Sequence, residues 1–227
     1  MDRSLIVGCL APLIALGVAS DVAALPRPGA SVAQLPLARI DVAAGDLVLP
    51  IPNGFCLNQY APNVADHQTQ NQAHLAPGTP IYRCKGSAPL AGMPSAFSVS
   101  VKNPTQRLAV SRSEFIKSAL AEFESSEGIT DLQRALREAQ QHHSGLLSVG
   151  NHVLGADDNG VYYTTDMQVR RGASERTVTV MACVTIINGY IVSEQFVELP
   201  NSSDDSAPLF SWVRAETKQF IDANNGR

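Results

Sequence analysis

Thiols are the first groups in this chain that could do chemistry. Cys56 lies in GFCLNQ and Cys84 in YRCKGS, both polar and loop-like, whereas Cys183 lies inside the apolar run TVTVMACVTII. In an oxidising compartment two loop thiols are natural disulfide partners, and a thiol inside a strand core behaves as a small hydrophobe. Cys56 is therefore expected to pair with Cys84, leaving Cys183 unpaired. Closing that loop stabilises by roughly 3–4 kcal/mol on the chain-entropy account. A reactive Cys183 is the rival reading, but no His or Lys lies near it in sequence.

The histidines do not converge in sequence. His67 and His74 are separated by QTQNQA; His142 and His143 are adjacent; His152 stands alone. Adjacent residues on a helix point about 100° apart and do not share one close site easily. His-Glu-x-x-His is absent, and no metal is expected. His143 continues the apolar stripe of Leu136 and Ala139 and reads as a packed helix-end histidine, with His142 facing solvent. Asp157-Asp158-Asn159-Gly160 invites a calcium reading, yet the twelfth loop position would be Gln168 rather than Glu. Turn chemistry explains the tetrad better. No Gly-x-Ser-x-Gly, Walker pattern or Gly-x-Gly-x-x-Gly occurs. No catalytic and no cofactor-binding residue can be named, and no cofactor is expected.

The compartment follows from the amino terminus. Leu5 to Val18 is almost wholly apolar, the length of a signal-peptide core and too short to span a bilayer. Cleavage after Ala24 is preferred, which discards Cys9. Ile6-Val7-Gly8-Cys9 has the look of a lipobox, but only Leu5 to Gly8 would precede the cut and the apolar run continues past Cys9. The expected product is a bacterial periplasmic or extracellular protein of 203 residues, 227 less the 24 of the leader, with no membrane insertion after cleavage. Losing Asp2, Arg3 and Asp21 takes the formal charge from −4 to −3. Without a basic run there is no electrostatic footprint for nucleic acid.

The elements that must position these residues read as follows. Residues 25–45 are Pro/Ala-rich and read as a flexible arm, followed by a single domain over 46–227. Leu47 to Pro52 reads as a short edge strand. Residues 58–80 read as a long Asn/Gln-rich loop. Ile81–Arg83 and Ala96–Val101 read as strands. Ser111-Arg112-Ser113-Glu114 is a capping box opening a helix with the stripe Phe115, Ile116, Ala119, Leu120 and Phe123, ended near Gly128. Thr130-Asp131-Leu132-Gln133 reads as a second capping box, opening a helix to about His142. Four strands follow, Leu146–Leu154, Val161–Arg170, Thr177–Ile187 and Tyr190–Leu199, with turns at Asn159-Gly160 and Asn188-Gly189. A last helix to about Asn224 presents Phe210, Val213, Thr217, Phe220 and Ile221, with Trp212 at the edge of that face. This order predicts an α+β domain: an antiparallel sheet with a C-terminal four-strand meander, flanked by helices.

VTVMACVTIINGYIVSEQFVEL, a polar loop and PLFSWVRAETKQFIDANN form a hairpin closed by Asn-Gly and a final helix ending in Ala-Asn. This third of the chain, with Pro52-Asn53-Gly54-Phe55-Cys56 and a second cysteine downstream, resembles uncharacterised bacterial envelope proteins similar to the PsbP/Mog1-like fold. The resemblance implies an antiparallel sheet flanked by helices and an assembly, binding or accessory role. It carries over no catalytic residue, and the 58–80 loop departs from its pattern. The expected function is thus a non-catalytic accessory or binding protein for an unknown envelope protein or small ligand. One alternative is an envelope hydrolase whose site assembles only in three dimensions. Another is a surface-exposed virulence or interaction protein that uses loop 58–80.

Overall fold

The computed structural model describes residues 36–57, 73–84, 93–142, 146–171, 173–198 and 207–226. The leader at 1–24, residues 25–35 of the arm, most of loop 58–80, His67, His143, Asp204 and Asp205 lie outside the described residues, as do the side chains of Leu132, Ala135, Leu136, Ala139 and His142.

The structure is mixed α+β and mostly antiparallel. Strands β1 (Leu37–Val42) and β2 (Gly45–Pro50) form a hairpin, and β3 (Phe55–Cys56), β4 (Ala73–Leu75), β5 (Pro80–Arg83) and β6 (Ala96–Lys102) follow. Helices α1 (Arg112–Glu124) and α2 (Ser126–His142) come next. Then come β7 (Leu146–Ala156), β8 (Val161–Arg171), β9 (Ser174–Ile187), β10 (Tyr190–Glu198) and helix α3 (Ala207–Asn224). One sheet of seven strands runs in the order β3-β5-β6-β10-β9-β8-β7, and a sheet of three runs β2-β1-β4. Every pairing in the large sheet is antiparallel.

Both faces of the large sheet are covered. On one face, Phe115, Ile116, Ala119 and Phe123 of α1 pack on Tyr163, Val180, Ala182 and Val184. On the other, Leu209, Val213, Phe220 and Ile221 of α3 pack on Phe97, Met181, Val192 and Phe196, and the β1–β2 hairpin closes the same layer with Ile40, Leu47 and Leu49. Central strands covered on both sides should read as near-continuous apolar runs, and β10 is buried from Tyr190 to Val197. Trp212 joins this core, with ring centroids 5.9 Å from Phe55 and 5.4 Å from Phe196.

Three expectations need correction. The arm at 25–45 contains strand β1, and the domain begins before residue 46. Ala38 and Ile40 turn inward while Arg39 and Asp41 turn out, a period-2 pattern short enough to be hidden by the surrounding Pro/Ala composition. Loop 58–80 contains β4, which pairs parallel to β1. Gly128 follows the end of α1, within the next helix, but Thr130 does not cap that helix. Helix α2 already starts at Ser126, and the Thr130 hydroxyl donates back to Ser126 O. The break falls at Ser125, in extended backbone. Its hydroxyl donates to Glu122 O at 2.8 Å, closing α1, and accepts from Gly128 N at 2.9 Å, opening α2. One serine thus caps both helices. The first capping box forms as expected, between Ser111 and Glu114.

Candidate functional site

The β9–β10 turn is Asn188-Gly189, and both residues take positive φ, 52° and 82°. Asn and Gly reach that region most readily, which is why this dipeptide closes the hairpin. The turn lies against the segment before α1. Leu108 N donates to Gly189 O at 2.7 Å, and a Cβ on Gly189 would stand 2.9 Å from Leu108 O. This close approach fixes Arg107, whose Nε donates to Asn188 O at 2.9 Å. On the opposite side, the turn of the β1–β2 hairpin is held by Ala43 N donating to Pro104 O and by Ala44 N donating to the Tyr190 hydroxyl.

Between these segments lies a cleft of about 330 Å³, lined chiefly by Arg39, Asp46, Arg107, Asn188 and Tyr190. Its size is at the lower end for small-molecule sites. Arg39 NH1 donates to Asp46 Oδ2 at 3.0 Å. Two guanidiniums therefore face one carboxylate, an excess of positive charge within an acidic chain. Among the described residues, no Ser, Thr, Cys or His lines the cleft. Its chemistry is that of an anion receptor, with planar donors suited to carboxylate or phosphate.

A second polar group lies beneath α3. Tyr162, Cys183 and Glu194 face one another across β8, β9 and β10, with Cys183 in register with both neighbours. Cys183 is 0% exposed and Glu194 2%. Desolvation pushes the Glu194 carboxyl up to about 8, and the nearby Glu216 adds to the rise. Glu194 Oε2 has no hydrogen-bond partner, and neither does the Thr217 hydroxyl above it. Burial likewise raises the Cys183 thiol, so it stays protonated. An inaccessible thiol beside a protonated acid is not a nucleophile–base pair, and no substrate reaches it.

Asp157 closes the end of this row. Its Oδ1 accepts from Asn159 N at 2.8 Å and from the Tyr162 hydroxyl at 3.0 Å, and its Oδ2 pairs with Arg214 at 2.7 Å. Burial pulls this carboxyl upward, but those donors outweigh it and hold it below the ordinary carboxylate range. The tetrad 157–160 is thus turn chemistry, as expected, joined to α3 by an ion pair that the sequence did not announce. Gly160 is needed there for space, since a Cβ would lie 2.4 Å from Cys183 Sγ.

Cys56 and Cys84 are joined, Sγ to Sγ at 1.93 Å, tying β3 to the end of β5, and among the described residues Cys183 is the free thiol, and it is buried. Among the described residues no helix is long and apolar enough to cross a membrane. The cleft residues escaped sequence reasoning because Arg39, Arg107 and Tyr190 come from three distant segments. Glu194 did leave a signal: Ser-Glu-Gln interrupts IVSEQFV, placing an acid between Val192 and Phe196 on one strand face.

No protein-family model matches the chain, and no curated protein matches it.

Proposed function

We propose that this chain is a bacterial envelope protein, working outside the cytoplasm as a non-catalytic binding or accessory protein that holds a small anion between Arg39 and Arg107. The cleft carries this reading: two guanidiniums and one carboxylate line it, with no Ser, Thr, Cys or His among the described lining residues. The Cys56–Cys84 bond supports an oxidising compartment. The PsbP/Mog1-like likeness belongs to the same proposal, supported by an antiparallel sheet with helices on both faces. The hydrolase alternative loses ground because the Cys183 thiol and the Glu194 acid are both buried. An apolar groove under the last helix loses ground too, because Leu209, Val213 and Phe220 fill that interface.

The test is a titration of the mature chain with inorganic phosphate and with citrate, reading the arginine Nε–H resonances by NMR. Saturable shifts at Arg107 and Arg39 are expected with at least one anion. Arg107→Ala should weaken binding roughly tenfold or more, the value of one charge-assisted hydrogen bond. If neither anion moves either resonance, the reading fails.

A further inference from the structure

The three-stranded sheet carries a further group of side chains, one of which, Asp46, also lines the cleft. Asp41 of β1 and Asp46 of β2 stand directly opposite each other in the hairpin register. His74 of β4 reaches them from the other side of β1, its Nδ1 at 2.8 Å from Asp41 Oδ1. One ligand-capable atom from each of the three lies within 4.8 Å of the others. We propose that Asp41, Asp46 and His74 bind a divalent transition-metal ion of the zinc class.

The chemistry of the donors points to that class. One imidazole nitrogen with two carboxylate oxygens suits zinc and its neighbours, whereas calcium takes six to eight oxygens and magnesium keeps most of its water. Tetrahedral bonds of about 2.0–2.2 Å place donors roughly 3.3–3.5 Å apart. Their donor atoms lie within 4.8 Å of one another, and Asp41 and His74 are exposed, so an ion would draw them to that spacing and take water from the open side. Like charges directly opposite on paired strands repel. Arg39 offsets part of this through Asp46 Oδ2, and Asp46 keeps a second oxygen for the ion. The arrangement also has a structural consequence. Strand β4 has three residues, and among the described residues β1 is its only partner in the sheet. An ion shared by His74 and the hairpin would clasp this short parallel strand to the domain.

The experiment is a calorimetric titration of the mature chain with zinc chloride. It is paired with imidazole nitrogen NMR and with thermal unfolding in zinc and in chelator. One ion per chain is expected, with the His74 ring resonances moving at stoichiometric zinc and Tm rising. His74→Ala and Asp41→Asn should each weaken binding by roughly tenfold or more, while His152→Ala, on distant β7, should not change it. Circular dichroism is to check that the variants fold, and the His74 resonance in the unmodified chain gives an answer that no variant is needed for. Zinc binds the deprotonated donors, so affinity should fall as pH is lowered. The proposal is overturned by no heat of binding, or by binding that leaves the His74 resonances unmoved or survives His74→Ala.

Discussion

Replacing Glu194 with Gln should remove a pH dependence of stability that is built into the sheet. The folded chain holds this carboxyl as the neutral acid, with its pKa pushed up to about 8 from an ordinary 4.5. The unfolded chain releases the proton at the ordinary value. Between the two, folding takes up a proton, so stability falls as pH rises. This contribution is fully present below about 4.5, declines by about 1.4 kcal/mol per pH unit, and is exhausted above about 8, for roughly 5 kcal/mol in all. Cys183 across β9, Tyr162 on β8 and Glu216 and Thr217 on α3 surround the group, and Arg214 is already engaged by Asp157. No described cation replaces the lost hydration when the acid ionises. Glutamine keeps the shape and stays neutral, so it probes charge without opening a cavity.

Urea unfolding of both proteins at intervals between about pH 5 and about pH 8 tests this. The stability advantage of Glu194→Gln should grow by roughly 4 kcal/mol across that range. The comparison matters because Glu216, pushed up to about 7 by burial, titrates in the same window and bends both curves. Parallel curves for the two proteins would refute the reasoning. They would mean that Glu194 is hydrated or ionised in the folded chain.

Two further substitutions test how the elements are joined. Gly to Ala inside a helix ordinarily stabilises by about 1 kcal/mol, but at Gly128 the new Cβ would stand 1.9 Å from Glu122 O. Gly128→Ala should therefore destabilise by roughly 1–2 kcal/mol in urea unfolding, and a stabilised variant would contradict the α1–α2 junction. Asn224 is fully buried and uses its amide on both sides of one residue, accepting from Val48 N and donating to Val48 O, each at 2.8 Å. Asn224→Ala strands both groups on the edge of β2 and should cost roughly 2–4 kcal/mol, with Val48 amide exchange accelerated; unchanged exchange would count against the contact.

What the sequence disclosed, and what it withheld, divides by the range of the interaction. The capping box at Ser111 and Glu114 is local, and so is the positive-φ turn at Asn188-Gly189; both were legible because three or four residues decide them. The thiol pair was legible by elimination, since only two thiols lay in polar settings. The Ser125 junction was not, because Thr130-Asp131-Leu132-Gln133 satisfies the same local pattern. Only the fold of α1 back onto Gly128 selects the earlier start. Strand β4 was invisible because three residues carry too little periodicity, and its existence depends on β1. The candidate sites were the least legible. Asp41, Asp46 and His74 meet across two strand registers, and Arg39 meets Arg107 only after two turns dock on each other.

The placement of this chemistry follows from β10. Tyr190, Val192, Glu194 and Phe196 alternate onto the face beneath α3 and the hairpin. Tyr190 carries its hydroxyl to Ala44 and so forms the floor of the cleft. Two rungs along, Glu194 meets Cys183 where α3 shuts out water. On the opposite face, against α1, β10 presents Ile191 and Val197 with the uncharged Ser193 and Gln195 between them. The same strand face therefore provides an open end, where charge is paired and solvated, and a closed end, where charge is suppressed. An acid at the closed end favours folding only while protonated, whereas guanidiniums at the open end keep their charge at any working pH. Anion binding should accordingly persist up to the pH at which Glu194 ionises. Any loss beyond it should follow the loosening of α3 from the sheet, with Glu194→Gln moving both transitions upward together.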